Sequence, residues 1–319
     1  MNRTFFAVSS LIFALVPLCS RASLTAFGIS SDGTLFRFDP DAPASATSVG
    51  NVGVTIDAID FRPLAAGETS PVLYGVGVNG DVTQLYTIDT QTAVATPVGA
   101  GFATVSPNGA YDLSNSQIGF DFNPTTLQAD SSMRIRLVAS NSGANLRLNS
   151  ATGQIAATDV ALAFVGVGGQ PRVDAVAYIN NIATQGGTTS LFDLDVLTDS
   201  LYQQNPPNNG SLNAVGPYGV TVDSLLGGSF DIYTDPLSVD PTIGGDRGLA
   251  VFTRIENPTS YLLYEVNLAT GQVTNGRSVD GGRNFSRGFA IMPTAVPEPA
   301  AALFAAMAGV VALRRRRPA

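Results

Sequence analysis

The segment Gly119-Phe120-Asp121-Phe122-Asn123-Pro124 contains a short strand pattern that recurs along the chain. Successive side chains of a β-strand point to opposite faces, so Phe120 and Phe122 share one face and Asp121 points to the other. Similar triplets surround four further positions, in altered form at the last: Asp60, Asp174, Asp231 and Ala290. The five centres are separated by 61, 53, 57 and 59 residues. This spacing indicates repeated supersecondary units, such as propeller blades, and chance similarity among β-rich segments is the alternative.

Turn signals keep the same phase as the strand pattern. Gly, Asn and Asp tolerate positive φ and are typical of hairpin turns. Turns of this kind stand at five corresponding places: Ser31-Asp32-Gly33, Asn79-Gly80-Asp81, Asn141-Ser142-Gly143, Gln185-Gly186-Gly187 and Asn257-Pro258-Thr259. A similar strand follows each turn, as in Leu85-Tyr86-Thr87-Ile88-Asp89. The order of strands and turns predicts an all-β, propeller-like fold with four strands per blade.

The two ends of the folded region suggest how the ring closes. The first predicted strand, residues 24–29, has the phase of the second strand of a blade, and a leftover inner strand, residues 288–291, comes last. Pairing these two strands leaves no unpaired terminal edge. We therefore predict about five blades of about 57 residues each, with a six-bladed ring or an irregular sandwich as alternatives. Three connections rich in Pro, Gly and Asn are expected to be surface loops: residues 65–71, 205–219 and 234–247.

Composition excludes several classes of function. Without the six arginines near the two ends, 11 basic residues face 24 acidic ones before Glu298, a charge of about −13. Such a surface repels phosphate backbones, which argues against nucleic-acid binding. The chain has no His, and its single Cys, Cys19, precedes the predicted folded domain. We therefore expect no disulfide, no thiolate chemistry and no cofactor.

The first 22 residues have the pattern of a secretory signal peptide. Arg3 gives a positive start, residues 5–18 are apolar, and Ser20-Arg21-Ala22 is an acceptable cleavage site. Attachment of a lipid at Cys19 is a weaker alternative, because bulky Leu18 stands where a small residue is preferred. We predict a signal peptide over residues 1–22 and an exported domain over residues 23–293.

The C-terminal residues 294–319 combine three features in a fixed order. First comes a helix-breaking motif, Val296, Pro297, Glu298, Pro299. An apolar run over residues 300–313 follows, and the chain then has a basic end, Arg314, Arg315, Arg316, Arg317. A 14-residue run predicts a short hydrophobic helix of about 21 Å, less than the hydrocarbon core of about 30 Å. A poor single-pass anchor is therefore the alternative to a sorting signal.

This order resembles the PEP-CTERM sorting signal of Gram-negative bacteria that make exopolysaccharide. The resemblance covers only about the last 24 residues, but all three features match. It implies that an exosortase in the inner membrane recognises the tail, which enters that membrane transiently, and cuts near the motif. The expected partners are the exosortase, the export machinery and exopolysaccharide. The expected location is the cell surface or the extracellular matrix.

A second resemblance covers about residues 25–292. Four segments look like those of a bacterial exported domain family of unknown function: residues 119–125, 134–138, 145–149 and 206–210 (GFDFNPT, RIRLV, NLRLN and PPNNG). The family offers no established activity and no catalytic residues that could be transferred to this chain.

The recurring aspartates are the candidate site. We hypothesise that four of them ring a central channel and attract a cation or sugar hydroxyls: Asp60, Asp121, Asp174 and Asp231. The alternative is that each carboxylate bonds a backbone amide or an arginine such as Arg62, Arg136 or Arg147, because a buried carboxylate must be satisfied.

An enzymatic function has less support in the sequence. A glycosidase needs two carboxyl groups about 5–10 Å apart, and no recognised motif selects such a pair. Tyr202, Tyr218 and Tyr233 could stack on sugars, but core packing is the favoured role, and the chain has no Trp. The sequence thus favours an exported structural or binding module, and a carbohydrate-active hydrolase with carboxylates in a propeller channel is the alternative.

Overall fold

Short alternating segments separated by Gly, Asn and Asp turns form 21 β-strands in a computed structural model of the chain. The structure describes residues 24–294, except residues 185, 236–244, 281 and 286. The predicted signal peptide, C-terminal helix, sorting motif and arginine end lie outside the described residues. Within the described part of the chain, no helix is long and apolar enough to span a bilayer.

The strands form five sheets, which we number as blades in chain order. Blade 1 contains β1 (Ala26–Ile29), β2 (Thr34–Phe38), β3 (Thr47–Asn51) and the last strand, β21 (Phe289–Ile291). Blade 2 contains β4 (Ala58–Phe61), β5 (Leu73–Asn79), β6 (Val82–Ile88) and β7 (Ala95–Ala103). Blade 3 contains β8 (Ile118–Phe122), β9 (Arg134–Ala139), β10 (Asn145–Asn149) and β11 (Ile155–Thr158). Blade 4 contains β12 (Ala163–Phe164), β13 (Val173–Tyr178), β14 (Leu191–Asp195), β15 (Ser200–Gln204) and β16 (Ser211–Pro217). Blade 5 contains β17 (Gly228–Thr234), β18 (Asp246–Arg254), β19 (Asn257–Val266) and β20 (Val273–Ser278). Two short 3-10 helices, Pro43–Ser45 and Pro207–Asn209, lie in connections.

The inner strands form a closed ring. Each of them contacts the inner strands of both neighbouring blades, in the order β4, β8, β13, β17, β21 and back to β4. The last strand closes blade 1 by antiparallel pairing with β1, in a register that places Ala26 opposite Ile291 and Gly28 opposite Phe289. The predictions of five blades and of closure through the terminal strands are therefore confirmed.

The apolar core lies between the blades. Five clusters of buried hydrophobic residues occur, one at each interface between adjacent blades. Aromatic pairs bridge these interfaces: the Phe27 and Phe61 ring centroids are 5.6 Å apart, and those of Tyr74 and Phe122 are 5.0 Å apart. Each fully buried side chain of this size contributes about 1.5–3 kcal/mol, so the ring is stabilised mainly by blade-to-blade packing.

The outer edge of blade 4 differs from the prediction. The connection expected over residues 205–219 contains the strand β16, so the prediction of a loop there was wrong. The strand escaped notice because its sequence, SLNAVGP, has a single fully buried side chain, Leu212, among polar and turn-forming residues. The two-residue strand β12 adds to it in parallel, as a fifth strand.

Candidate functional site

Three of the four predicted aspartates meet near the axis of the ring. Asp60, Asp121 and Asp231 lie on the inner strands of blades 2, 3 and 5, and one carboxylate oxygen of each lies within 4.8 Å of the others. All three residues are no more than 2% exposed. We call these three residues the axial carboxylate cluster.

Each carboxylate of the cluster accepts a hydrogen bond from the inner strand of the next blade. The Phe122 N–H donates to Asp60 Oδ2 at 2.9 Å, and the Tyr178 N–H donates to Asp121 Oδ1 at 3.2 Å. The Ile291 N–H donates to Asp231 Oδ2 at 2.6 Å. The aspartates therefore tie neighbouring blades together at the centre of the ring, which is the backbone-amide alternative stated above.

These bonds also define which positions are equivalent in the five blades. The residue just before the donor is Asp121 in blade 3 but Ala177 in blade 4 and Ala290 in blade 1, and Asp60 and Asp231 hold the matching position in blades 2 and 5. Ala177 of blade 4 has no side-chain acceptor to offer to the next blade. In blade 5 the Ile232 N–H therefore donates to the Oδ1 of its own neighbour, Asp231, at 2.6 Å. Asp231 thus accepts the hydrogen bond of an amide for which Ala177 offers no acceptor.

Asp174 does not join the cluster. It lies three residues before Ala177, at an irregularity in the pairing of β13 with β14, so its predicted equivalence to the other aspartates was wrong. Its Oδ1 is 3.6 Å from Arg172 Nε, and neither of its buried oxygens has a hydrogen-bond partner. Asp174 and Asp57 line a cavity of about 20 Å³, which is large enough for one water molecule. Residues on, or just before, each of the five inner strands line the same cavity.

Burial dominates the electrostatics of the cluster. Burial first, and then the charge of Asp231, hold the pKa of Asp60 well above its usual range. The pKa of Asp121 is raised in the same direction by burial and by the charges of Asp60 and Asp231. Burial raises the pKa of Asp231 to about 6, against the opposing hydrogen bonds from the Ile291 and Ile232 amides. Three carboxylates so close together require a compensating proton or cation.

The arginines proposed as partners of the aspartates pair elsewhere. Arg62 binds Glu68 at 2.7 Å, and Arg147 binds Asp159 at 2.8 Å. Arg136 is also paired with Asp159, at 2.7 Å, although it is only 2% exposed. None of the three named arginines thus pairs with one of the four aspartates, whereas a different arginine, Arg172, pairs with Asp174 at 3.6 Å.

Sequence reasoning missed the buried polar network around Arg136. Its guanidinium donates to Asn145 Oδ1 at 2.6 Å and to Asn208 Oδ1 at 2.9 Å, across the interface of blades 3 and 4. These residues come from three of the four segments by which the chain resembles an exported domain family. Asp193 is fully buried in blade 4, and burial holds its pKa well above the usual range, although the Arg136 charge opposes the shift. The family-like segments thus converge on the interface of blades 3 and 4. The sequence signal that could have indicated a buried Asp193 is an acidic residue between Phe192 and Leu194 in a predicted strand.

The three candidate tyrosines are core residues. Tyr202, Tyr218 and Tyr233 are 8%, 1% and 6% exposed, so none offers a face to a sugar. The Tyr218 hydroxyl donates to the Ser200 carbonyl at 2.7 Å, and the Tyr202 ring lies 4.9 Å from that of Phe164. Core packing, the favoured role, is the one that the structure has.

The chemistry open to the cluster is limited by its burial. Carboxylates on the axis can accept backbone hydrogen bonds, share protons or bind a cation with oxygen ligands. Glycoside hydrolysis also needs a sugar ring between the carboxyl groups, and the neighbouring cavity, at about 20 Å³, has room for one water. The arrangement is that of an architectural or ion-binding centre.

Solved structures resemble the chain only distantly. A putative 6-phosphogluconolactonase from Bacteroides uniformis is 12% identical, with 82% of this chain and 98% of that chain covered and a TM-score of 0.34. TolB from Acinetobacter baumannii is 12% identical, with 86% and 67% covered and a TM-score of 0.40. A protein from Lactobacillus plantarum is 14% identical, with 85% and 99% covered and a TM-score of 0.36. We transfer no activity from these proteins.

Comparison at the level of sequence gives a family without an activity. No curated protein matches the chain. A family described as "Domain of unknown function (DUF4394)" matches residues 34–290, from the second strand of blade 1 to the strand that closes the same blade. The chain therefore belongs to the DUF4394 family of domains of unknown function.

Proposed function

We propose that this protein is an exported, exosortase-sorted propeller that serves as a structural or binding module in a cell-surface or polysaccharide matrix. The observation that carries the non-catalytic role is the use of the inner aspartates. Asp60, Asp121 and Asp231 are buried and bond the backbone of neighbouring blades, so they stabilise the ring instead of facing a substrate. The runner-up, a hydrolase with its carboxylates in the channel, needs those groups to be accessible.

The sorting part of the proposal rests on the sequence at the two ends. Residues 1–22 have the pattern of an export signal, and the tail carries Pro297-Glu298-Pro299, an apolar run and four arginines in order. An exported protein without disulfides depends on packing and strand pairing for its stability. Ring closure and five apolar interfaces meet that need.

Expression in an exosortase-containing Gram-negative host tests the proposal. We expect mass spectrometry to find the chain cut near residue 297, and fractionation to find it at the surface or in the medium. Glu298→Ala should abolish cutting and leave the chain in the inner membrane. Glu256→Ala is the matched control, because Glu256 is an exposed glutamate of the propeller with a side chain 51% exposed. Cutting of both variants, or of the normal chain in an exosortase-deficient host, contradicts the sorting proposal.

The role in the matrix needs a separate measurement. We expect the protein to bind matrix polysaccharide in a pull-down or on a glycan array, and to release no reducing sugar from it. Release of reducing sugar that is lost in Asp121→Asn would favour the hydrolase.

A further inference from the structure

We infer that the axial carboxylate cluster is a binding site for one hard divalent cation of the calcium type. The site is formed by Asp60, Asp121 and Asp231, which come from three different blades. An ion held there would join blades 2, 3 and 5 directly, in addition to the amide bonds that the same side chains accept.

The distances fit a single ion. The three candidate oxygens all lie within 4.8 Å of one another. Two oxygens on opposite sides of a calcium ion, each about 2.3–2.6 Å from it, would be about 4.6–5.2 Å apart. One ion on the axis can therefore reach all three carboxylates without a large movement of the strands.

A buried oxygen without a partner points independently to a ligand. Asp60 is 2% exposed, and its Oδ1 has no hydrogen-bond donor. The other oxygen, Oδ2, already accepts the Phe122 N–H. Leaving a buried carboxylate oxygen unsatisfied is costly, so a bound ion that Oδ1 could reach would remove this cost.

No arginine in the described part of the chain forms an ion pair with the cluster. Across the residues that the structure describes, the arginines form their ion pairs with other acids, as in Arg62 with Glu68 and Arg136 with Asp159. Two further arginines pair with the acids that line the neighbouring cavity, Arg172 with Asp174 and Arg287 with Asp57. A bound cation can therefore supply the positive charge that the arginines do not bring to the three carboxylates.

The donor set selects the class of ion. Carboxylate oxygens suit calcium, magnesium and manganese, whereas zinc and copper prefer imidazole or thiolate. The chain has no His, and Cys19 belongs to the predicted signal peptide. A neighbouring cavity of about 20 Å³ has room for one water, and it is lined by Ile59, Phe120 and Phe230, each of which immediately precedes an aspartate of the cluster.

Metal titration of the purified protein tests this inference. The protein is stripped with EDTA, and calcium is then added during calorimetry and thermal melting. We expect one calcium ion per chain and a rise in Tm of about 5 °C or more at a hundredfold excess over the Kd. Magnesium and manganese are parallel probes, and zinc should bind at least tenfold more weakly than calcium.

Asparagine variants locate the ion. Asp60→Asn and Asp231→Asn keep an acceptor for the neighbouring amides but remove a charged ligand, so each should weaken calcium binding at least tenfold. Asp174→Asn is the matched control, because it removes a buried carboxylate beside the same channel and should leave calcium binding unchanged. If the unmodified protein binds no calcium at 10 mM, the inference is overturned, and this measurement does not depend on the folding of any variant. Calcium binding by Asp60→Asn that equals that of the unmodified protein also overturns it. The inference does not depend on export, which is measured separately.

Discussion

The carboxylate of Asp231 accepts a 2.6 Å hydrogen bond from the backbone N–H of Ile291, the residue that pairs with Ala26 in the closing strand. The last inner strand is thus held on two sides, by β1 within blade 1 and by an aspartate of blade 5. Ring closure is therefore both a strand pairing and a bond between blades.

Replacing Asp231 separates its two contributions. Asp231→Ala leaves the buried amides of Ile291 and Ile232 without their acceptor, and each unsatisfied donor costs about 1–3 kcal/mol. Asp231→Asn retains a carbonyl acceptor, so its loss of stability should be smaller. Urea denaturation in the presence of EDTA measures both, and equal midpoints for the two variants would contradict a role in bonding the amides.

A methyl group at Gly288 should weaken closure. Gly288 has a φ of 125°, and a Cβ there would lie 2.7 Å from the backbone nitrogen of Ile59 in blade 2. We expect Gly288→Ala to lower the free energy of unfolding by about 1–3 kcal/mol from backbone strain, and further through the contact with blade 2.

Gly219→Ala is the control for the Gly288 variant. Gly219 has a φ of 78° with open space around the added Cβ, so Gly219→Ala should lower the free energy of unfolding through backbone strain alone.

A chain that ends at residue 288 lacks β21 and should lose the cooperative melting transition. If that truncated chain melts as sharply and at the same temperature as the full chain, the closing strand does not stabilise the ring.

The buried pair Arg136–Asp159 should contribute far more stability than the less buried pair Arg147–Asp159. Removing one member of a buried ion pair costs about 3–5 kcal/mol, so Arg136→Met should destabilise the interface of blades 3 and 4 strongly. Arg147→Met removes another partner of the same Asp159, but the Arg147 side chain is 35% exposed, and the loss should be about 0–1 kcal/mol. Chemical denaturation compares the two variants. Similar losses would show that Arg136 is not the organising residue of the network.

Asp174 should make stability depend on pH. Burial raises the pKa of Asp174 to about 7, against the charge of Arg172, and the charge of Asp195 raises it further. Because the folded state holds a proton that the unfolded chain, with a pKa near 3.9, has released, stability should fall as pH rises from about 4 to about 7 and then level off.

Comparison of the Asp174→Asn variant with the unmodified protein isolates the contribution of Asp174 to the pH dependence of stability. The cluster aspartates are present in both proteins, so their contribution cancels. We expect the variant to have a shallower fall in Tm over the same pH window. Identical pH profiles for the two proteins would assign the titration to other groups.

Most of the architecture was predictable from the sequence because it depends on local rules. Alternation around Phe120 and Phe122 fixes a strand with two buried faces, and turns such as Asn79-Gly80-Asp81 fix the hairpins. The strand Ser211–Pro217 was missed because Leu212 is its single fully buried side chain, so its sequence shows little apolar alternation. The tyrosines were correctly favoured as core residues, since a large aromatic side chain is stabilised most by burial.

The sequence by itself determined the five-part repeat, the closing role of residues 289–291 and the presence of aspartates on inner strands. Only the tertiary structure decided which aspartates meet: Asp60, Asp121 and Asp231 converge, whereas Asp174 lies three residues out of register. The same is true of Arg136, whose partners Asp159 and Asn208 come from two separate connections, after β11 and after β15. The physical reason is that alternation specifies which face a side chain occupies, while its partner across the ring is set by strand register and by packing between blades.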